Sequence, residues 1–67
     1  MDKKIEIGKR IKAYRKAAGM TQKELAEKSG VRQSNISRIE NGTCSPTIAT
    51  LEALAVGMGK KLIVSFE

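Results

Sequence analysis

The 67-residue chain has no histidine, a single cysteine (Cys44) and a single proline (Pro46). Without histidine, a zinc site of the Cys/His kind is excluded. With one cysteine, no disulfide can staple the fold. A lone thiol fits a reducing compartment, and Cys44 reads as a half-buried small apolar residue in a turn. Also missing are a nucleophile with a base, a carboxylate pair on one face and a phosphate loop, so neither an enzyme nor a cofactor is expected. No stretch is apolar enough over its length to span a bilayer, and no signal-peptide core opens the chain. A soluble, cytoplasmic protein with no membrane partner is expected. So short a chain, without staples, must draw its stability from close helix packing, from oligomerisation, or from both.

What the sequence does have is positive charge, unevenly placed. Residues 1–40 hold eleven Lys/Arg against five Asp/Glu, which accounts for the whole formal charge of +6. Residues 41–67 hold two of each. A basic front and a neutral, apolar back suggest a polyanion on one side and packing on the other.

Four helices are expected. The first runs from about Ile5 to Ala18 on a face of Ile7, Ile11, Tyr14 and Ala18, and Gly19 ends it. The second opens on a capping box, Thr21 and Glu24, and stops near Ser29 with Gly30 just beyond. In the third, VRQSNISRIENG, Val31 and Ile36 form a hydrophobic staple if Arg32 is the N-cap, although arginine is a poor cap. A fourth is expected to start at Ser45 as N-cap with Pro46 at N1. Its core face is Ile48, Leu51, Leu54, Ala55 and Met58, and Gly57 and Gly59 end it. The period then changes to two. KLIVSFE puts Leu62, Val64 and Phe66 on one side and Lys61, Ile63 and Ser65 on the other, which reads as one C-terminal β-strand. The division is therefore residues 1–59 as an all-α domain and 60–67 as a strand.

Helix, glycine turn, helix at this spacing is the helix-turn-helix pattern. Counted from Gln22, Ala26 is the small residue where two helices approach closely, and Gly30 supplies the positive φ of the turn. Ile36 and Ile39 lock the second helix onto the first. The third helix is otherwise polar, which raises the question of what its outer face meets.

TQKELAEKSGVRQSNISRIENG resembles the phage-repressor (Cro/C1, Xre-like) helix-turn-helix domains, a likeness running from about Ile7 to Gly57. The resemblance implies a compact four-helix domain that binds double-stranded DNA as a homodimer on a palindromic operator, with a location at the nucleoid. It also implies that the polar face lies in the major groove. Carried over by position, it places Gln33, Ser34 and Arg38 at base edges, with Ser37 flanking. Amide and guanidinium groups there suit adenine and guanine. Gln22, at the N-terminus of the second helix, is assigned to a backbone phosphate, as are Asn41 and Thr43 on the other side. Arg32 departs from the small polar residue usual in the family, and is also assigned to phosphate. Family members carry an internal ion pair at the positions of Arg15 and Glu40, so both are read as structural.

The C-terminal segment separates two functions. In phage repressors a fifth helix follows this point. GKKLIVSFE instead looks like the terminal strand of HipB-type antitoxins, where strands of two subunits pair. An isolated strand needs a partner for its ladder. Leu62, Ile63, Val64 and Phe66 are accordingly expected at a dimer contact, with Leu62, Val64 and Phe66 covering the fourth helix. The leading expectation is a transcriptional regulator, in the first place a repressor; the alternative is an antitoxin that binds a toxin protein and represses its own operon.

Overall fold

Four helices make up the computed structural model, which describes residues 2–66. They are α1 (Lys3–Ala17), α2 (Gln22–Ser29), α3 (Gln33–Glu40) and α4 (Ile48–Gly57). α1 begins two residues before the expected Ile5, because the Asp2 carboxylate accepts the Lys4 N–H at 2.9 Å and caps the helix. It ends through Ala18 into Gly19, whose φ is +71°.

The buried face of α1 differs from the expected one. Gly8, Ile11 and Arg15 are buried, while Tyr14 is 43% exposed and Ala18 is exposed. Apolar periodicity selects Tyr14. The helix turns instead so that Gly8 admits α3 and Arg15 meets a buried partner.

α2 opens on the full capping box. Thr21 Oγ1 accepts the Glu24 N–H at 3.1 Å, and Glu24 accepts the Thr21 N–H at 3.0 Å. Gly30 closes the helix with φ +77°. A side chain there would be strained in the left-handed region. α3 has Arg32 as N-cap, and no side-chain hydrogen bond caps it. Val31 is half-buried and Ile36 fully buried around that start.

The start of α4 requires a correction. Thr47, not Ser45, is the N-cap, and Pro46 lies outside the helix. Thr47 Oγ1 accepts the Thr50 N–H at 3.1 Å and also bonds the Thr50 hydroxyl at 3.0 Å. Ser45 as cap would face Ile48 at N3, which has no polar side chain to answer it. The shift leaves Ile48 60% exposed, so it drops out of the expected core face. Leu54 and Ala55 are buried, with Leu51 and Met58 half-buried.

The expected strand is not present either: residues 60–66 form neither strand nor helix. A β-ladder needs a second strand, and the described residues offer none. Leu62 alone is half-buried, at the edge of a groove lined by Ile7, Tyr14, Leu51 and Met58. Val64 and Phe66, expected to cover α4, are instead exposed, Phe66 at 99%. Glu67, the last residue of that stretch, lies outside the described residues.

Ile11, Leu25, Ile36, Ile39 and Leu54 form the core, one or two from each helix. Half-buried Cys44 packs against it, as expected. α3 packs on both α1 and α2, and α4 on α2. Two glycines within helices let neighbouring helices approach closely. A methyl group at Gly8 would overlap the Ile39 carbonyl oxygen and stand 2.9 Å from that of Glu40. One at Gly57 would stand 3.0 Å from Ser29 Cβ.

Candidate nucleic-acid interface

α3 is amphipathic by position. At about 100° per residue, Gln33, Ser34, Ser37, Arg38 and Asn41 fall within an arc of roughly 140°. Ile36 and Ile39 point the other way and are buried. On the outer arc Gln33, Ser34, Arg38 and Asn41 are exposed and Ser37 is half-buried. Among the described residues, the side chains of Gln33, Ser34, Ser37 and Arg38 make no intramolecular hydrogen bond. Amide, hydroxyl and guanidinium groups are thus presented together, unpaired, on a rigid helix backed by the core. Exposed Arg32 stands at the N-terminal end of the arc.

The assigned phosphate residues lie on or beside this arc but differ in what they have free. Asn41 is exposed and caps α3 with its backbone N–H. Thr43 is exposed, but its hydroxyl is engaged. Its N–H and its hydroxyl both donate to the Arg38 carbonyl, each at 3.0 Å, closing the C-terminal end of α3. Gln22 is half-buried, and its Nε2 donates to Glu40 Oε1 at 3.1 Å. The Gln22 link is not visible in local sequence spacing, since 18 residues separate Gln22 from Glu40.

Behind the arc lies the ion pair that the resemblance implies. Arg15 Nε donates to Glu40 Oε2 at 2.7 Å and Nη2 to Oε1 at 2.9 Å, a bidentate fork. The third donor, Nη1, reaches the Met20 carbonyl at 2.8 Å and so ties the turn between α1 and α2. Burial pushes the Glu40 carboxyl up. The hydrogen bonds from Arg15 and Gln22, with the charges of Arg15 and Lys12, outweigh it and hold the group below its ordinary value. Among the described residues, no buried side-chain polar atom lacks a partner.

Sequence reasoning passed over Gly8. Its signal was available: a glycine inside a helix is unfavourable by about 1 kcal/mol against alanine and asks for a packing reason.

Residues 11–64 match the family described as Helix-turn-helix. The immunity repressor protein of Bacillus phage phi105 is 43% identical over 55 residues, which span 82% of this chain and 38% of that protein. The HTH-type transcriptional regulator SinR of Bacillus subtilis (strain 168) is 50% identical over 50 residues, 73% of this chain and 45% of SinR. The chain therefore spans less than half the length of these two relatives. The crystal structure of the restriction-modification controller protein C.AhdI from Aeromonas hydrophila shares the fold, with a TM-score of 0.86 over 91% of this chain and 92% of that one at 24% identity. Among the described residues no helix is long and apolar enough to cross a membrane. By the match of residues 11–64 and the identity to its relatives, the chain belongs to the Cro/C1-type helix-turn-helix family of DNA-binding transcription regulators.

Proposed function

We propose that this chain is the DNA-reading unit of a sequence-specific repressor that works as a homodimer on a palindromic operator. The observation that carries the reading is the outer arc of α3, where Gln33, Ser34, Ser37 and Arg38 stand unpaired on a helix fixed by its buried isoleucines. Gln33 suits adenine and Arg38 suits guanine, each by two hydrogen bonds. Gln22 and Arg32 beside the arc, and Asn41 at its C-terminal end, bind phosphates. Thr43 joins them only by turning its hydroxyl away from the Arg38 carbonyl.

Fluorescence anisotropy against a selected operator and a scrambled duplex tests the proposal. Binding weakens steeply with salt, as phosphate-bound cations are released. Gln33→Ala and Arg38→Ala shift which bases are preferred, at about 1–3 kcal/mol each. Gln22→Ala and Asn41→Ala weaken binding to all sequences alike. Equal affinity for the two duplexes at physiological salt would refute sequence reading. An unchanged preferred sequence in Arg38→Ala would remove Arg38 from the bases.

The dimer contact is assigned to the tail. Ile63, Val64 and Phe66 are large apolar residues left exposed beside half-buried Leu62. Pairing with a second tail about a two-fold axis supplies the missing ladder and an isologous contact. Truncation after Gly59 then gives a monomer in analytical ultracentrifugation, with weaker operator binding. A truncated chain that still dimerises with unchanged affinity rules the tail out. The same exposed face supports a second reading, an antitoxin whose tail holds a toxin protein, for which a toxin gene in the adjoining reading frame is the deciding observation.

A further inference from the structure

We infer that Glu40 is a positioning residue for DNA: held by Arg15, it fixes which end of the Gln22 carboxamide faces a backbone phosphate. The inference rests on the DNA-reading proposal above and adds a role to a pair otherwise read as structural. The geometry joins three helices. Arg15 comes from α1, Gln22 is the first residue of α2, and Glu40 is the last of α3. Glu40 receives Arg15 on both oxygens and Gln22 on Oε1.

An ionised carboxylate only accepts hydrogen bonds, whereas a primary amide has a donor end and an acceptor end. Facing Glu40, Gln22 must therefore offer Nε2. Flipping the amide would set Oε1 against a carboxylate oxygen at about the same 3.1 Å, acceptor on acceptor. One N–H is taken by Glu40 and the second remains. It sits at the start of α2, where the helix dipole also favours an anion. A free glutamine in water turns either end outward and loses that freedom when it binds. Here folding has already removed it, so an approaching phosphate meets a donor already in place.

A double-mutant cycle on the full chain separates this role from a merely structural one. Gln22→Met keeps the length and removes the amide. Glu40→Gln keeps an acceptor for Arg15 but lets either amide end face Gln22. Operator affinity is compared per folded molecule at a temperature where each variant is folded. Glu40→Gln is expected to weaken binding roughly two- to tenfold when Gln22 is present, the range for ordering one flexible side chain. In the Gln22→Met background it adds nothing. An equal loss in both backgrounds overturns the inference.

Should Glu40→Gln not fold, amide NMR of the unmodified chain decides. One Gln22 side-chain proton is expected to be displaced from the free-amide position and slow to exchange. Both protons at free-amide positions would overturn the lock. If the unmodified chain binds no duplex at all, the DNA-reading proposal falls together with this one. If it binds and the cycle is additive, only this one falls.

Discussion

Gly8→Ala lowers the stability of the domain by about 2 kcal/mol, and Gly8→Leu leaves no folded protein. The new methyl group meets backbone, not a flexible side chain: the Ile39 carbonyl overlaps it and the Glu40 carbonyl lies 2.9 Å away. Those oxygens belong to the last turn of α3, so relief requires moving the helix that carries Gln33 and Arg38. Two terms oppose each other here. Alanine gains about 1 kcal/mol of helix propensity over glycine. Overpacking against an unyielding neighbour costs up to about 3 kcal/mol or more, and it wins. For a chain of this size total stability is on the order of 3–10 kcal/mol, so the loss is a large share. Urea denaturation followed by circular dichroism measures it. A Gly8→Ala chain with an unchanged or higher midpoint would show that α1 and α3 are not in this contact.

Arg15→Met reverses the way acid affects stability. In the unmodified chain the Glu40 carboxyl sits below its ordinary value. The sign follows: its contribution is fully present above the unfolded value of about 4.3, and is lost as pH falls through the lower folded value. Removing Arg15 takes away the strongest opposition to burial, which is the largest influence on Glu40. The carboxyl then rises above its unfolded value, and stability is lost as pH rises through the window between the two. At neutral pH the variant is weaker by about 3–5 kcal/mol, the penalty for a buried charge without its partner. In mild acid the deficit narrows. Arg15→Met with Glu40→Leu recovers most of it, because no charge is left buried. Thermal melts from pH 3 to 7 check this. Parallel pH profiles for the unmodified chain and Arg15→Met would mean that Glu40 is not held by Arg15.

Much of the reading unit was legible because its signals are local. The Thr21–Glu24 box and Gly30 act within one turn of the chain, and the structure has both. Ile36 and Ile39 announce their burial by spacing alone, and both are buried. What escaped depends on distant or competing groups. Tyr14 was chosen over Arg15 for the α1 face because an arginine is buried only when a carboxylate far along the chain answers it. The resemblance, not the spacing, pointed to Glu40. Ser45 and Thr47 both suit an N-cap, and the choice fell to Thr50, whose amide and hydroxyl both engage Thr47. The alternation in residues 61–67 records a preference for extended backbone, yet a preference forms no ladder without a second strand.

The eight residues of α3 also bound how much an operator can say to one copy of this chain. At 1.5 Å per residue the helix is about 12 Å long, against about 3.4 Å per base pair, so it faces roughly four base pairs. Four positions distinguish at most about 256 sequences. A genome offers upwards of about a million competing sites, so such an address recurs thousands of times. Eight positions, read by two copies at a fixed separation, distinguish about 65,000, and the recurrences fall to about fifteen per million. The brevity of α3 makes recognition a problem of information before it is one of affinity. Lengthening the contact of Gln33 or Arg38 with a base cannot solve it; only a second reader, or base pairs chosen by how readily they bend, adds letters to the address.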